Sequence, residues 1–186
     1  MRLLLATGNP HKVEELRAAL PGLEIDGFAV TDTPPEDGET YIDNARIKAR
    51  HARAHAPADA WVVGEDSGIE AAALGGRPGI ESARWADDGV SALLAALDGV
   101  TDRRVRYVCE IVAISPAGEE LRATGTLEGV VADARSGSEG FGYDPIVIPL
   151  GETRTVAELG DAWKSGHSHR ALAAQALREE LLTRGH

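Results

Sequence analysis

The stretch LLLATGNPHKVEEL, residues 3–16, constrains the fold more than any other segment. An apolar run ends at Thr7-Gly8-Asn9, Pro10 follows, and Val13 and Leu16 then fall at helical spacing. That order predicts a buried strand, a tight turn with Asn9 as N-cap, and a helix with Pro10 at its first position. The first helical turn carries His11 and Lys12. Unpaired N–H groups at a helix start favour anions, so a cation there needs a reason. A polyphosphate docked on Gly8 and Asn9 would supply one, with Lys12 as its counter-charge. A solvated surface lysine is the plainer alternative. By the dipole argument alone, removing Lys12 from the unliganded protein is predicted to stabilise it by a few tenths of a kcal/mol. The stretch is neither a Walker A loop nor a Rossmann fingerprint, since the Gly-Lys-Ser/Thr and the later glycines are missing.

The rest of the chain repeats the alternation of strand and helix. Residues 23–28 form a short apolar segment, followed by the acidic, proline-rich TDTPPEDGE. From Tyr41 onward Ala45, Ala49 and Ala52 share one helical face, with Asn44, Lys48 and His51 on a neighbouring stripe. Residues 61–74 read as a buried strand that ends in Glu65-Asp66 and turns at Ser67-Gly68. Residues 75–85 read as loop, and Gly89–Leu97 as a surface helix. Residues 105–115 and 120–127 predict a hairpin across the turn that starts at Pro116. A glycine-rich stretch leads to GFGYDPIVIP, and 168–182 makes a final amphipathic helix. The pattern predicts an α/β fold with a mixed sheet.

Composition narrows the function. A chain of 186 residues, 43% hydrophobic, can bury a sizeable core and reads as a single domain over residues 1–186. The net charge of −11 argues against binding a nucleic-acid polymer, though not against a small anion held by local cations. No apolar run approaches a membrane span, and Leu3–Ala6 is too short for a signal peptide. One cysteine, Cys109, allows no internal disulfide and reads as a small buried hydrophobe. A cytoplasmic location is the simplest expectation.

Three further clusters carry chemistry. In WKSGHSHRAL, Ser168 is a plausible N-cap, so His169 and Arg170 open the last helix with two more cations, and Lys164 lies a short loop upstream. Glu65 and Asp66 end a buried strand, where α/β sheets build their sites. Neighbours on a strand face opposite ways, so both acids reach one centre only if the chain bends after them. With phosphate oxygens they would suit Mg²⁺. FGYD, Phe141–Asp144, sets two aromatic rings and a carboxylate beside glycines, which suggests base stacking.

TGNPHK, YIDNARIKA, GEDSGI, LGGRPGIESAR, GFGYDP and KSGHSHR occur in the order seen in the inosine triphosphate pyrophosphatase family, and the chain resembles it from Leu3 to Arg170. The resemblance implies an elongated mixed sheet flanked by helices, with two lobes and a cleft between them. It implies a homodimer that uses Mg²⁺ to hydrolyse ITP, dITP or XTP to the monophosphate and pyrophosphate. Carried onto this chain, Thr7, Gly8, Asn9, Pro10, His11 and Lys12 form the phosphate loop, and Lys48 reaches the phosphates. Asp66 is the metal ligand and proton acceptor, with Ser67 on substrate. Glu36 is the second metal ligand, with Glu39 as the alternative. Phe141, Gly142, Tyr143, Asp144, Lys164, His169 and Arg170 bind the nucleotide, and Phe141 and Tyr143 are expected to stack on the base. Two positions depart from the family pattern. Asp43 replaces a frequent Glu and Glu65 a common Asp, each keeping the carboxylate. A Maf-type enzyme for modified pyrimidines and a non-hydrolysing nucleotide sensor are the other readings.

Overall fold

The computed structural model describes residues 1–30 and 34–184. The loop TDTPPEDGE therefore lies partly outside the described residues. β1 (Arg2–Leu5) leads through Asn9 into α1 (Pro10–Ala19), and β2 (Glu24–Gly27) returns parallel to β1. α2 (Tyr41–His55) crosses to β3 (Trp61–Ala71), parallel to β1 on its other side. β4 (Arg104–Ile114) and β5 (Glu120–Val131) follow as an antiparallel hairpin, and β6 (Val147–Pro149) closes the order β2-β1-β3-β4-β5-β6. The sheet is mixed, as its alternating elements predicted.

Leu3, Leu4 and Leu5 are all buried because helices cover both faces here. Leu3 and Leu5 pack with α1 and α5 (His169–Thr183), and Leu4 packs with Ala45, Ala49 and Ala52 of α2. Two glycines permit the closest approaches. A Cβ on Gly64 of β3 would lie 2.0 Å from the Ala45 carbonyl oxygen, and one on Gly125 of β5 would lie 2.1 Å from the His169 carbonyl oxygen. The second contact seats the start of α5 directly on the sheet.

β3, β4 and β5 are long enough to run past these helices. Their far ends build a separate core from Ile69, Tyr107 and Val131 with α3 (Gly89–Ala96) and β6. Two cores on shared strands make the two lobes. α3 is less a surface helix than its sequence predicted, since Leu93 and Leu97 at its end are fully buried.

Two expectations fail. β3 does not bend at Ser67-Gly68; it pairs with β4 without a break from Val62 to Ala71. Ladder hydrogen bonds on the β4 side outweigh the turn preference of Ser-Gly. Lys164 does not lie in a loop but on α4 (Val156–His167). Gly160, at φ 82° and ψ 175°, interrupts that helix and hides its period. Its start was legible: Thr155 and Glu158 form a capping box.

Candidate active site

A cavity of about 220 Å³ opens between the lobes, lined by Lys12, Glu15 and Arg170 from one side and by Ile69, Tyr107 and Tyr143 from the other. Along its floor runs a chain of ion pairs. Lys12 Nζ donates to Glu65 Oε2 at 2.7 Å, and Arg170 reaches Glu65 Oε1 through Nε at 3.2 Å and Nη2 at 2.9 Å. Arg170 also donates to Ser67 Oγ at 3.0 Å and to Glu15. Glu15 in turn pairs with Lys164 at 2.5 Å, and Lys164 with Asp144 at 2.7 Å. Asp144 accepts from Tyr107 Oη at 3.1 Å and from the Phe141 N–H at 3.0 Å.

Three cations thus face three carboxylates, which changes the reading of Lys12. With Nζ paired to a carboxylate that is only 3% exposed, the lysine is internally compensated in the unliganded protein. Its removal is expected to destabilise the fold, reversing the sign predicted from the helix dipole. Glu65 would be pushed up by burial, but Arg170 and Lys12 hold it well below the usual glutamate range. Arg170 has four of its five N–H donors engaged, one through Nε, two through Nη2 and one through Nη1, leaving one for a ligand.

Other residues are placed less as expected. Ser168 does cap α5, accepting from the Ala171 N–H at 3.1 Å. Burial and then the neighbouring Arg170 charge lower the His169 pKa well below its usual value, so α5 opens with one cation and not two. The neutral ring stacks on Tyr107 at 4.6 Å. Tyr143 is buried, its hydroxyl donating to the Ser82 carbonyl at 3.0 Å, so it is a wall of the cavity and leaves stacking to the half-exposed Phe141. Gly142 makes the turn between them at φ 61°. Cys109 is fully buried, its thiol pushed well up by burial beside Glu65, as expected of an inert hydrophobe.

Asp66 points to the opposite face of β3. There Lys48 Nζ lies 2.9 Å from Asp66 Oδ1 and 3.1 Å from Glu36 Oε1, and Asn44 donates to Asp66 Oδ2 at 3.1 Å. Glu65 and Asp66 therefore serve different clusters, because an unbent strand sends adjacent side chains to opposite faces. Of the two candidate glutamates, Glu36 is the one brought to Lys48, while Glu39 is exposed. Burial raises the Asp66 pKa in spite of Lys48 and Asn44.

The two clusters meet around an edge. β1 ends at Leu5 beside Val63, and β3 continues with that flank uncovered until the Ile69 N–H meets Ser82 Oγ. The Thr7–Asn9 turn stands at the opening, its Asn9 side chain capping α1 and Thr7 Oγ1 accepting from the Asn9 N–H at 3.1 Å. An extended ligand in the cavity can pass this edge to reach Asp66 and Lys48. Ligands in open α/β sheets bind at such points, beyond the carboxyl end of a strand.

Residues 3–180 match the Ham1 family. The chain belongs to that family. A dITP/XTP pyrophosphatase of Bdellovibrio bacteriovorus is 44% identical over 98% of both chains, and one of Symbiobacterium thermophilum is 44% identical over 97% of this chain and 94% of its own. The structure of the Staphylococcus aureus Ham1 protein superposes with a TM-score of 0.84 at 33% identity, covering 99% of this chain and all of that one. The Ham1 fold agrees with the α/β expectation and with the family whose motifs the sequence resembles.

Among the described residues of this Ham1 chain, no three His, Cys, Asp or Glu side chains cluster to hold a metal ion. Asp66 and Glu36 nevertheless converge on one cation, the Lys48 ammonium. Two hard oxygen donors with room for water and phosphate oxygens fit Mg²⁺. Motif reading missed Glu15, which joins Arg170 to Lys164. Its position on α1 one turn beyond Lys12 was the available signal. Asp43 accepts from Thr40 Oγ1 at 2.6 Å and belongs to the start of α2.

Proposed function

We propose that this chain hydrolyses non-canonical purine nucleoside triphosphates, ITP, dITP and XTP, to the monophosphate and pyrophosphate, removing deaminated purines from the nucleotide pool. The observation that carries the reading is the open edge of β3, which joins a base-sized cavity with an aromatic ring and a buried guanidinium to a carboxylate–lysine cluster on the other face. The names of its relatives point the same way.

The base lies against Phe141, and the triphosphate runs past Thr7–Asn9 toward Lys48. Lys12, Lys48 and the N–H groups at the start of α1 neutralise and orient phosphate oxygens, the main demand of phosphoryl transfer. Lys12 can exchange Glu65 for phosphate without a change of rotameric reach. Asp66 accepts the proton of a water aligned on the α-phosphorus, and pyrophosphate leaves with no covalent intermediate. Asp66 and Glu36 would hold Mg²⁺, whose chemistry there is to neutralise phosphate charge and polarise water. With ITP in ¹⁸O-labelled water, label is expected in IMP with unlabelled pyrophosphate. Stepwise orthophosphate release through IDP would sink the proposal.

Base choice follows from the spare Arg170 donor. Hypoxanthine and xanthine carry a 6-keto acceptor where adenine carries a donor, so the guanidinium favours the deaminated bases. Guanine also has the keto group, and its rejection needs a different contact. Arg170→Lys keeps the charge but loses the fork. It is expected to lower kcat/KM for ITP at least about tenfold while changing ATP little. An equal loss on both would reassign Arg170 to phosphate. The same reading extends to a cytoplasmic homodimer, which sedimentation of the purified protein would test.

A further inference from the structure

His11 stands in the phosphate loop by sequence, yet neither of its polar parts faces a phosphate. Its backbone N–H donates to Asn9 Oδ1 at 3.0 Å and is used up by the helix cap. Its ring stacks on Phe141, with centroids 5.5 Å apart and planes 26° apart. Consecutive helical side chains diverge by about 100°, which is why Lys12 can enter the cavity while His11 does not. Phe141 lines both the 220 Å³ cavity and a neighbouring one of about 490 Å³; of the two, His11 lines only the latter. The imidazole thus stands behind the aromatic ring as seen from the base cavity. It also ties α1 to the 137–144 loop across the cleft. Phe141 needs such support, because Gly140 and Gly142 flank it at φ 73° and 61° and its ring is half exposed.

We propose that His11 is a positioning residue for the nucleobase: its imidazole backs the Phe141 ring and holds it as a stacking platform, and does not bind phosphate. This rests on the purine nucleotide reading above. Backing the ring restricts its rotamers before the base arrives, so less ordering remains to oppose binding. An aromatic pair of this kind corresponds to a several-fold effect on affinity.

Steady-state kinetics on ITP, with IMP and pyrophosphate as inhibitors, test the assignment in His11→Ala, His11→Phe and His11→Lys. His11→Ala is expected to raise both KM for ITP and the IMP inhibition constant about three- to tenfold. Turnover, pyrophosphate inhibition and the melting temperature should stay near wild type. Phe should restore nucleotide affinity and Lys should not. An unchanged KM in His11→Ala overturns the proposal, as does weakened pyrophosphate inhibition that Lys restores. A wild type that releases no pyrophosphate from ITP overturns the nucleotide reading itself, whereas normal wild-type turnover beside an unaltered His11→Ala overturns only the His11 assignment.

Discussion

Replacing Asp66 with Asn is expected to lower kcat for ITP by about 10²–10⁴-fold, the range of a lost general base, without lowering stability. The reason for the second half is electrostatic. Burial raises the Asp66 pKa in the folded protein, so folding favours the protonated form. At neutral pH the ionised group therefore costs stability, and a neutral isostere that keeps a contact with Asn44 and Lys48 removes that cost. A marked fall in melting temperature would show instead that the Asp66–Lys48 pair holds the fold. Turnover alone cannot separate base from ligand, but Mg²⁺ titration of the variant can. A shift of the titration to higher Mg²⁺ with recovered turnover marks a ligand; an unchanged midpoint with a low plateau marks the base.

Glu65→Gln is expected to do the reverse and strike the fold. Glu65 is the shared carboxylate of Arg170 and Lys12, and Arg170 is 2% exposed. Removing one partner of a buried ion pair costs about 3–5 kcal/mol. Glu15 still faces Arg170, which puts the expectation at the lower end. The pH dependence has a definite sign. The folded pKa of Glu65 lies well below its unfolded value of about 4.3, so its contribution is complete above that pH and is lost as pH falls toward the folded value. Denaturant midpoints of the wild type should drop below about pH 4 more steeply than those of Glu65→Gln. A double variant, Glu65→Leu with Arg170→Met, should lose less than the sum of its single changes. Parallel pH curves for wild type and Glu65→Gln would mean that the pair contributes nothing to stability.

The two expectations separate residues that are neighbours in sequence, and that separation was legible only in part. Strand alternation already says that Glu65 and Asp66 face apart; the Ser67-Gly68 turn preference argued for a bend that would reunite them. β3 stays straight because β4 supplies its hydrogen bonds over the whole length, and β4 lies some 40 residues away in the chain.

What the sequence by itself determined are features decided within a few residues. Asn9 caps α1, Thr40 caps α2 and Ser168 caps α5, each with a side-chain oxygen on a nearby N–H, as those residue types in those places require. Strand and helix periods located most elements for the same reason, and the order of six motifs pointed to the family. The tertiary structure alone decided who neutralises whom. Arg170 meets Glu65 across 105 positions and Glu15 across 155, and no local rule encodes such a pairing. It decided that His169 is neutral, since its pKa depends on burial under Tyr107 and on the Arg170 charge. It also decided that Lys164 reaches the cleft, because the break at Gly160 is a φ value that glycine permits but does not compel. Local hydrogen-bond geometry is written in neighbouring residues, whereas charge balance and desolvation depend on which distant segments the sheet brings together.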